Sequence, residues 1–411
     1  MIYLFNATIF ENLLRESDKP VAFILGKYIT TGLGVCRCLG KVKIPVVWLD
    51  SSPKQIGFSS KYCIGKKCPN PKYNENKYVD FLLEIGEELN QKAILFPIGD
   101  IEVFTLLKNK KELEKYYHFP MSDLNVTDNF LNKRLFYKLL EKESIDFPRT
   151  FFPKKLSDLK EIGNRISYPC LMKPAYSASF VIDFNTKMFS VKNSNQLNIL
   201  FKKANSKNHD IIIQEIIPGD STCMYGFNGY FDKNSNLNGF FSSRRIREWP
   251  KKAGCACFIE ELYVPELSDI TSKIVKKINY FGIVDCDFKK DPRDGKFKLL
   301  DLNPRFWMQI SLPERCGINL PFIAYMETLG KSVKKVKSNI KNIKWIFMID
   351  DIKSARISIS TGEISILNWL SSLKGKKEFA IFNISDPYPS LSLIINTFFS
   401  KNDKKNSSLN V

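Results

Sequence analysis

The sequence predicts an α/β unit with an open parallel sheet, followed by an α+β unit built in two halves. Three observations predict this. Short apolar runs alternate with helical segments from 21 to about 115, the pattern of parallel strands joined by crossover helices. From 211 the chain becomes strand-rich, with runs at Ile211 to Glu215, Met224 to Phe231, Leu237 to Arg245 and Phe258 to Tyr263. Between Gly282 and Arg305, two strand-like runs flank Asp291-Pro-Arg-Asp-Gly295, where Pro presets φ and Gly supplies a positive φ, so the chain should fold back as an antiparallel hairpin.

The 411 residues divide accordingly. Residues 1–115 form the first α/β domain, with strands at Val21 to Leu25, Val46 to Leu49 and Ala93 to Phe96. Its first turn, Gly26 to Gly34, does not fit G-x-G-x-x-G, so a dinucleotide site is disfavoured. Open sheets bind ligands beyond the carboxyl ends of their strands, which makes Gly26 to Gly34, Asp50 and Gly99-Asp100 a candidate substrate wall. Residues 116–207 form a small α/β subdomain, with a helix at Lys133 to Lys142 and a strand ending at Lys173. Residues 208–330 carry the strand-rich part, a helix at Glu266 to Tyr280 and the hairpin. Residues 331–399 are an extension packed on the core, with a buried strand at Trp345 to Asp350, and 400–411 are a disordered tail.

The hairpin carries the chemistry. Strand periodicity places Asp301 and Asn303 on one face and Leu300 and Leu302 on the other, while the turn brings Asp285 and Asp287 alongside. Magnesium takes hard oxygen ligands, usually one or two protein carboxylates, with substrate phosphates and water completing the octahedron. Asp287, Asp301 and the amide oxygen of Asn303 suit that set, and Pro304 ends the ladder so that Arg305 is free to meet a phosphate or carboxylate. Residue type alone leaves an ordinary solvated hairpin tip open.

Asp301-Leu-Asn-Pro-Arg305 resembles the metal-binding end of the ATP-grasp superfamily, and further motifs follow that family's order. Asn132-Lys133 with the downstream Phe147-Pro-Arg-Thr150 resembles its first lysine helix and strand; Met172-Lys173-Pro174 resembles its second lysine; Gln214-Glu215-Ile-Ile217-Pro-Gly-Asp220 resembles its hinge strand. Phe23-Ile-Leu-Gly26, Arg37-Cys-Leu-Gly40, Val46 to Asp50, Phe58 to Cys63, Arg244 to Pro250 and Asp386 to Pro389 are similar to a predicted ATP-dependent carboligase subgroup related to D-aspartate ligase. The resemblance implies an ATP-grasp fold preceded by a pre-ATP-grasp domain, and a carboxylate-amine ligase acting through an acyl phosphate. It implies ATP and Mg2+ (or Mn2+) as cofactors, with Lys133 and Lys173 on the phosphates. Gln214, Glu215 and Ile217 would meet adenine and Asp220 the ribose. Arg305 is the choice for stabilising the transferring phosphoryl group, and Arg245 and Arg247, taken to share a face, for clamping a substrate carboxylate. One departure stands out. The stretch Pro174 to Phe180 lacks the glycines of the family's phosphate-covering lid, which keeps a non-catalytic ATP sensor or assembly protein as the alternative.

Composition narrows the partners. Lys and Arg number 62 against 43 Asp and Glu, a net charge of +19, much of it in solvated lysine runs such as Lys331 to Lys344. No RNA- or DNA-binding signature accompanies that charge, so nucleic acid is not expected, and the expected partners are a small carboxylate and an amine. No apolar run reaches the length of a membrane span, and no basic segment precedes the apolar N-terminus, so the expectation is a cytoplasmic protein whose ten cysteines are free thiols. The oligomeric state is open.

Overall fold

A computed structural model describes residues 7–251, 254–336 and 342–399. The expected tail at 400–411 lies outside the described residues, as does part of the lysine run before Lys344.

The first domain holds a wholly parallel sheet of five strands in the order β3-β2-β1-β4-β5: β1 Ala22–Leu25, β2 Val46–Asp50, β3 Ile64–Lys67, β4 Ala93–Pro97 and β5 Tyr117–His118. Its central strands are apolar on both faces because helices cover both sides. The glycines after β1 serve packing rather than ligand approach. A Cβ at Gly32 would stand 2.0 Å from the Trp48 ring, and one at Gly34 would stand 2.3 Å from Ile310. Asp50 is buried and taken by the Gln55 amide at 2.5 Å and the Ser52 N–H at 3.1 Å. Of the expected substrate wall, Asp100 is the residue that faces the central cleft.

A four-stranded antiparallel sheet follows in the order β6-β9-β7-β8: β6 Thr150–Phe151, β7 Cys170–Pro174, β8 Phe189–Val191 and β9 Ile211–Glu215. β9, expected to open the next unit, pairs instead with β6 and β7. The glycine-free stretch after β7 folds into a helix, Ser177–Phe184, anchored by Phe180, whose ring packs on Phe184, Phe189 and His209.

The third sheet has seven strands in the order β14-β13-β10-β11-β12-β15-β16: β10 Met224–Phe231, β11 Leu237–Trp249, β12 Cys255–Glu261, β13 Gly282–Lys290, β14 Phe297–Asn303, β15 Ile343–Ile346 and β16 Lys376–Phe379. The extension is thus continuous with this sheet, β15 pairing antiparallel to β12 and parallel to β16. The strand expected at Trp345 to Asp350 ends at Ile346, and a helix, Met348–Ser360, begins there. The extension is also fastened to the first domain: Arg37, 2% exposed, donates its Nε to Asp386 at 2.9 Å.

Candidate active site

The hairpin forms as the turn residues dictate. Gly295 adopts φ +72 and donates its N–H to the Asp291 carbonyl at 2.7 Å. Across the ladder, Asp285 faces Asn303 and Asp287 faces Asp301. Cys286, Phe288 and Leu302 point to the opposite face and are buried in the core. Pairing slips between Asp287 and Phe288, whose partner is Leu299, so Leu300 is an extra, bulged residue rather than the core residue that strict alternation assigns. Its freed carbonyl accepts the Tyr137 hydroxyl at 2.6 Å. The bulge keeps both Asp301 and Leu299 correctly aimed, one at the cleft and one at the core.

Four cations converge on these acids from different elements. Lys133 opens the helix Lys133–Lys142, whose Asn132 cap accepts the N–H groups of Arg134 and Leu135, and its ammonium meets Asp301 Oδ1 at 2.7 Å. Lys173 extends from β7 and donates to Gln214 Oε1 at 2.7 Å; the Gln214 amide is oriented by donating in turn to Thr150 Oγ1 at 2.8 Å. Arg245 on β11 lies 3.7 Å from Asp287 and bonds Glu248 at 2.6 Å. Arg305 donates its Nε to Asp100 at 2.6 Å and approaches Asp285 to 3.8 Å. Together with Asp285, Asp287, Asp301 and Asn303, these cations line a cleft of about 690 Å³ shared by the first domain, the small sheet and the large sheet.

The electrostatics set mutually repelling carboxylates against nearby cations. Burial, reinforced by Asp287, pushes the Asp285 carboxyl up to about 7, although Arg305 and the Asn228 amide at 2.8 Å oppose the shift. Burial also raises Asp287, against the pull of Arg245 and with Asp301 adding to the rise. Burial alone would raise Asp301 as well, but the Lys133 ammonium in contact, helped by Lys173, holds it below the usual carboxylate range. Burial, then repulsion from Lys133, lowers Lys173 to about 8, with Asp301 and Asp287 pulling the other way. A divalent cation between Asp287 and Asp301 would relieve the carboxylate repulsion and free Lys133 for a phosphate. The donor set fits it: hard oxygens only, already opposed across one ladder. Among the described residues no group of three or more His, Cys, Asp or Glu forms a metal cage.

Several expected site residues stand elsewhere. Arg247 does not share a face with Arg245, because β11 slips register on both sides of it. It turns inward, donating to both Asp351 oxygens at 2.6 and 3.2 Å, and acts in the packing of the extension. Gln214 is buried and holds Lys173; Glu215 accepts the Arg149 N–H at 2.8 Å and meets Arg293 at 3.0 Å. Ile217 is buried, and Asp220 caps the turn Ser221–Cys223 by accepting from Thr222. None of these five lines the cleft. Motif reading did not single out Asn228, Tyr137 or the Phe104–Tyr176 ring pair, whose centroids lie 6.3 Å apart at the cleft wall. A polar Asn within the otherwise apolar and aromatic β10 was the available signal for the first.

No family model matches the chain. A D-aspartate ligase from Enterococcus faecium is 23% identical over 257 residues, which cover 59% of this chain and 61% of that protein. A carbamoyl phosphate synthase large-chain section from Methanopyrus kandleri is 24% identical, over 52% of this chain and 40% of its own length. The matches therefore span only part of these relatives. Among solved structures, the biotin carboxylase domain of Hydrogenobacter thermophilus 2-oxoglutarate carboxylase, in complex with MgADP, ADP and bicarbonate, superposes with TM-score 0.59 at 16% identity, over 78% of this chain and 72% of that one. An L-amino acid ligase from Bacillus licheniformis gives 0.58 at 13%, over 79% and 78%. The chain has the ATP-grasp fold. Within that ATP-grasp frame, the small sheet supplies Lys173, the adjoining helix Lys133, and the large sheet the acidic hairpin.

Proposed function

We propose that the protein is an ATP-dependent ligase that joins a carboxylate to an amine through an acyl phosphate, releasing ADP and phosphate. The observation that carries this reading is the opposition of Asp287 to Asp301, with Asn303 beside them and Lys133, Lys173 and Arg305 around them. Asp287, Asp301 and Asn303 would hold Mg2+, which neutralises phosphate charge and orients the triphosphate; Mn2+ fits the same oxygens. Lys133 and Lys173 hold phosphate oxygens as point charges, Gln214 acts by orienting Lys173 rather than by touching the nucleotide, and Arg305 offsets the charge that develops as the γ-phosphoryl group moves to the carboxylate. Arg245, pinned by Glu248, faces the same space and is assigned to the acid substrate. The amine then attacks the acyl carbon and phosphate departs. Similarity to a D-aspartate ligase and an L-amino acid ligase supports an amino acid as one of the two substrates, and a cytoplasmic site of action supplies its ATP.

The test is magnesium-dependent ADP release with pooled carboxylates and amines. Release that requires one acceptor pair is expected. The helix Ser177–Phe184, which takes the place of a glycine-rich covering loop and lines the cleft, supports the second reading, an ATP sensor. Tight ATP binding without turnover in any pool would establish that reading and exclude the ligase.

A further inference from the structure

The helix Met348–Ser360 is amphipathic in the inverted sense. Its polar residues Asp350, Asp351, Ser354 and Ser358 are buried, Asp351 because it receives both Arg247 and the Trp369 indole N–H at 3.0 Å. Its isoleucines Ile349, Ile352 and Ile357 face outward. The indole bond ties the next helix, Ile366–Ser372, alongside, and that helix exposes Ile366, Leu367 and Leu370. Exposure in this set runs from 39% at Ile357 to 72% at Leu367. These six exposed aliphatic side chains sit on two helices joined by the indole bond, more than the single exposed apolar residues an ordinary surface scatters.

Charge on the extension decides what docks there. Between 342 and 399, Asp350, Asp351, Glu378 and Asp386 are all buried, and the exposed Glu363 is held by Lys251. The bases point the other way: Arg356, Lys374 and Lys376 are exposed, and Lys353 is half-exposed beside Asp350. The extension therefore exposes aliphatic side chains and cations on neighbouring stretches of chain and, among the described residues, no unpaired carboxylate. A second copy would bring another +19 chain and the same uncompensated cations to the contact, whereas an anionic bilayer satisfies both the apolar and the cationic components.

We propose that the helices Met348–Ser360 and Ile366–Ser372 seat the protein on an anionic lipid surface. They lie in the interface with Ile352 and Leu367 entering the acyl boundary and Arg356 and Lys374 at headgroup level. Neither helix spans it, and no helix among the described residues is long and apolar enough to cross a membrane. The proposal is independent of the ligase reading.

Vesicle co-sedimentation of the full chain tests it, with phosphatidylcholine alone and with phosphatidylcholine and phosphatidylglycerol at about three to one. Binding to the anionic vesicles, at least about tenfold tighter than to neutral ones and weakening with salt, is expected. A charge-neutral double variant, Ile352→Asn with Leu367→Asn, removes the apolar contact without altering net charge and should weaken binding at least about tenfold. Both side chains are exposed, so the thermal transition should not move. If it does, the single variant Leu367→Asn, the most exposed of the set, carries the test with the same expected direction. Absence of binding to the anionic vesicles overturns the proposal, as does binding that the variant leaves unchanged, which is adsorption by net charge alone. A concentration-dependent dimer abolished by the same variant, with vesicle binding intact, assigns the face to a second copy and overturns it as well.

Discussion

Arg305 Nε donates to Asp100 Oδ1 at 2.6 Å, joining the residue just past β14 to the first turn of the helix that follows β4. Burial works against the Asp100 carboxylate, but Arg305 outweighs it and holds the group below its ordinary range. The pair spans the seam between the first domain and the large sheet. It points the guanidinium into the cleft before any substrate arrives, and pre-set orientation is where an arginine gains over a lysine.

Replacing Asp100 by Asn should therefore impair the chemical step more than nucleotide binding. A lost charge-assisted bond of about 1.5–3 kcal/mol corresponds to roughly 10- to 100-fold in kcat. The KM for ATP should stay within about twofold, and Asp100→Glu should recover part of the loss. Steady-state ADP release measures both parameters, and equal changes in kcat and KM would show that Asp100 does not act through Arg305.

The double change Asp301→Ala with Asn303→Ala removes the proposed cation ligands from β14. Magnesium-dependent ADP release should fall by about 100-fold or more. Calorimetric titration with MgADP should show the matching loss of affinity. The chain should still unfold cooperatively, because the hairpin's core residues Cys286, Phe288, Leu299 and Leu302 are untouched.

Lys173 predicts a pH dependence with a definite sign. Its pKa is lowered to about 8 in the folded chain, so between there and the ordinary lysine range the unfolded chain binds more protons. The cost of keeping it charged is present in full below about 8 and is relieved as pH rises through that window, so this residue makes stability increase with pH there. ATP affinity should run the other way, weakening above about 8 as the ammonium is lost. Lys173→Met should flatten the stability slope and weaken ATP binding about tenfold or more, as followed by urea unfolding and nucleotide titration from pH 7 to 10.

Two arginines on one strand should separate function from folding. Arg247→Ala strands the Asp351 carboxylate in the core and should cost about 3–5 kcal/mol of stability. Arg245→Ala, whose partner Glu248 keeps 14% exposure against 0% for Asp351, should cost less stability than Arg247→Ala while raising the KM for the acid substrate. Urea melts and kinetics on the two variants distinguish the outcomes, and a reversal of the two phenotypes would refute the assignment of Arg245 to substrate.

Much of this molecule is written in local pattern. The apolar runs of β1, β2 and β4 sit where the alternation of the first domain places them, and the turn Asp291 to Gly295 folds the strand of Asp287 back against that of Asp301. These features depend on neighbours within a few residues, whose φ preferences and side-chain alternation act before any distant contact forms. Local alternation misled at Leu300, because a bulge inserts one residue and shifts the faces beyond it. It misled at Arg247 for the same reason, a register slip in β11.

The sequence by itself determined which residue types could grip a nucleotide and its cation, and the order in which strands and helices carry them. Only the tertiary structure decided which of them meet. Arg305 finds Asp100 across 205 residues, Lys133 finds Asp301 across 168, and Arg247 leaves the cleft for Asp351, 104 residues away. Side-chain alternation is a property of one strand, whereas the partner of a buried charge is set by which sheets close over it, and no window of sequence contains both.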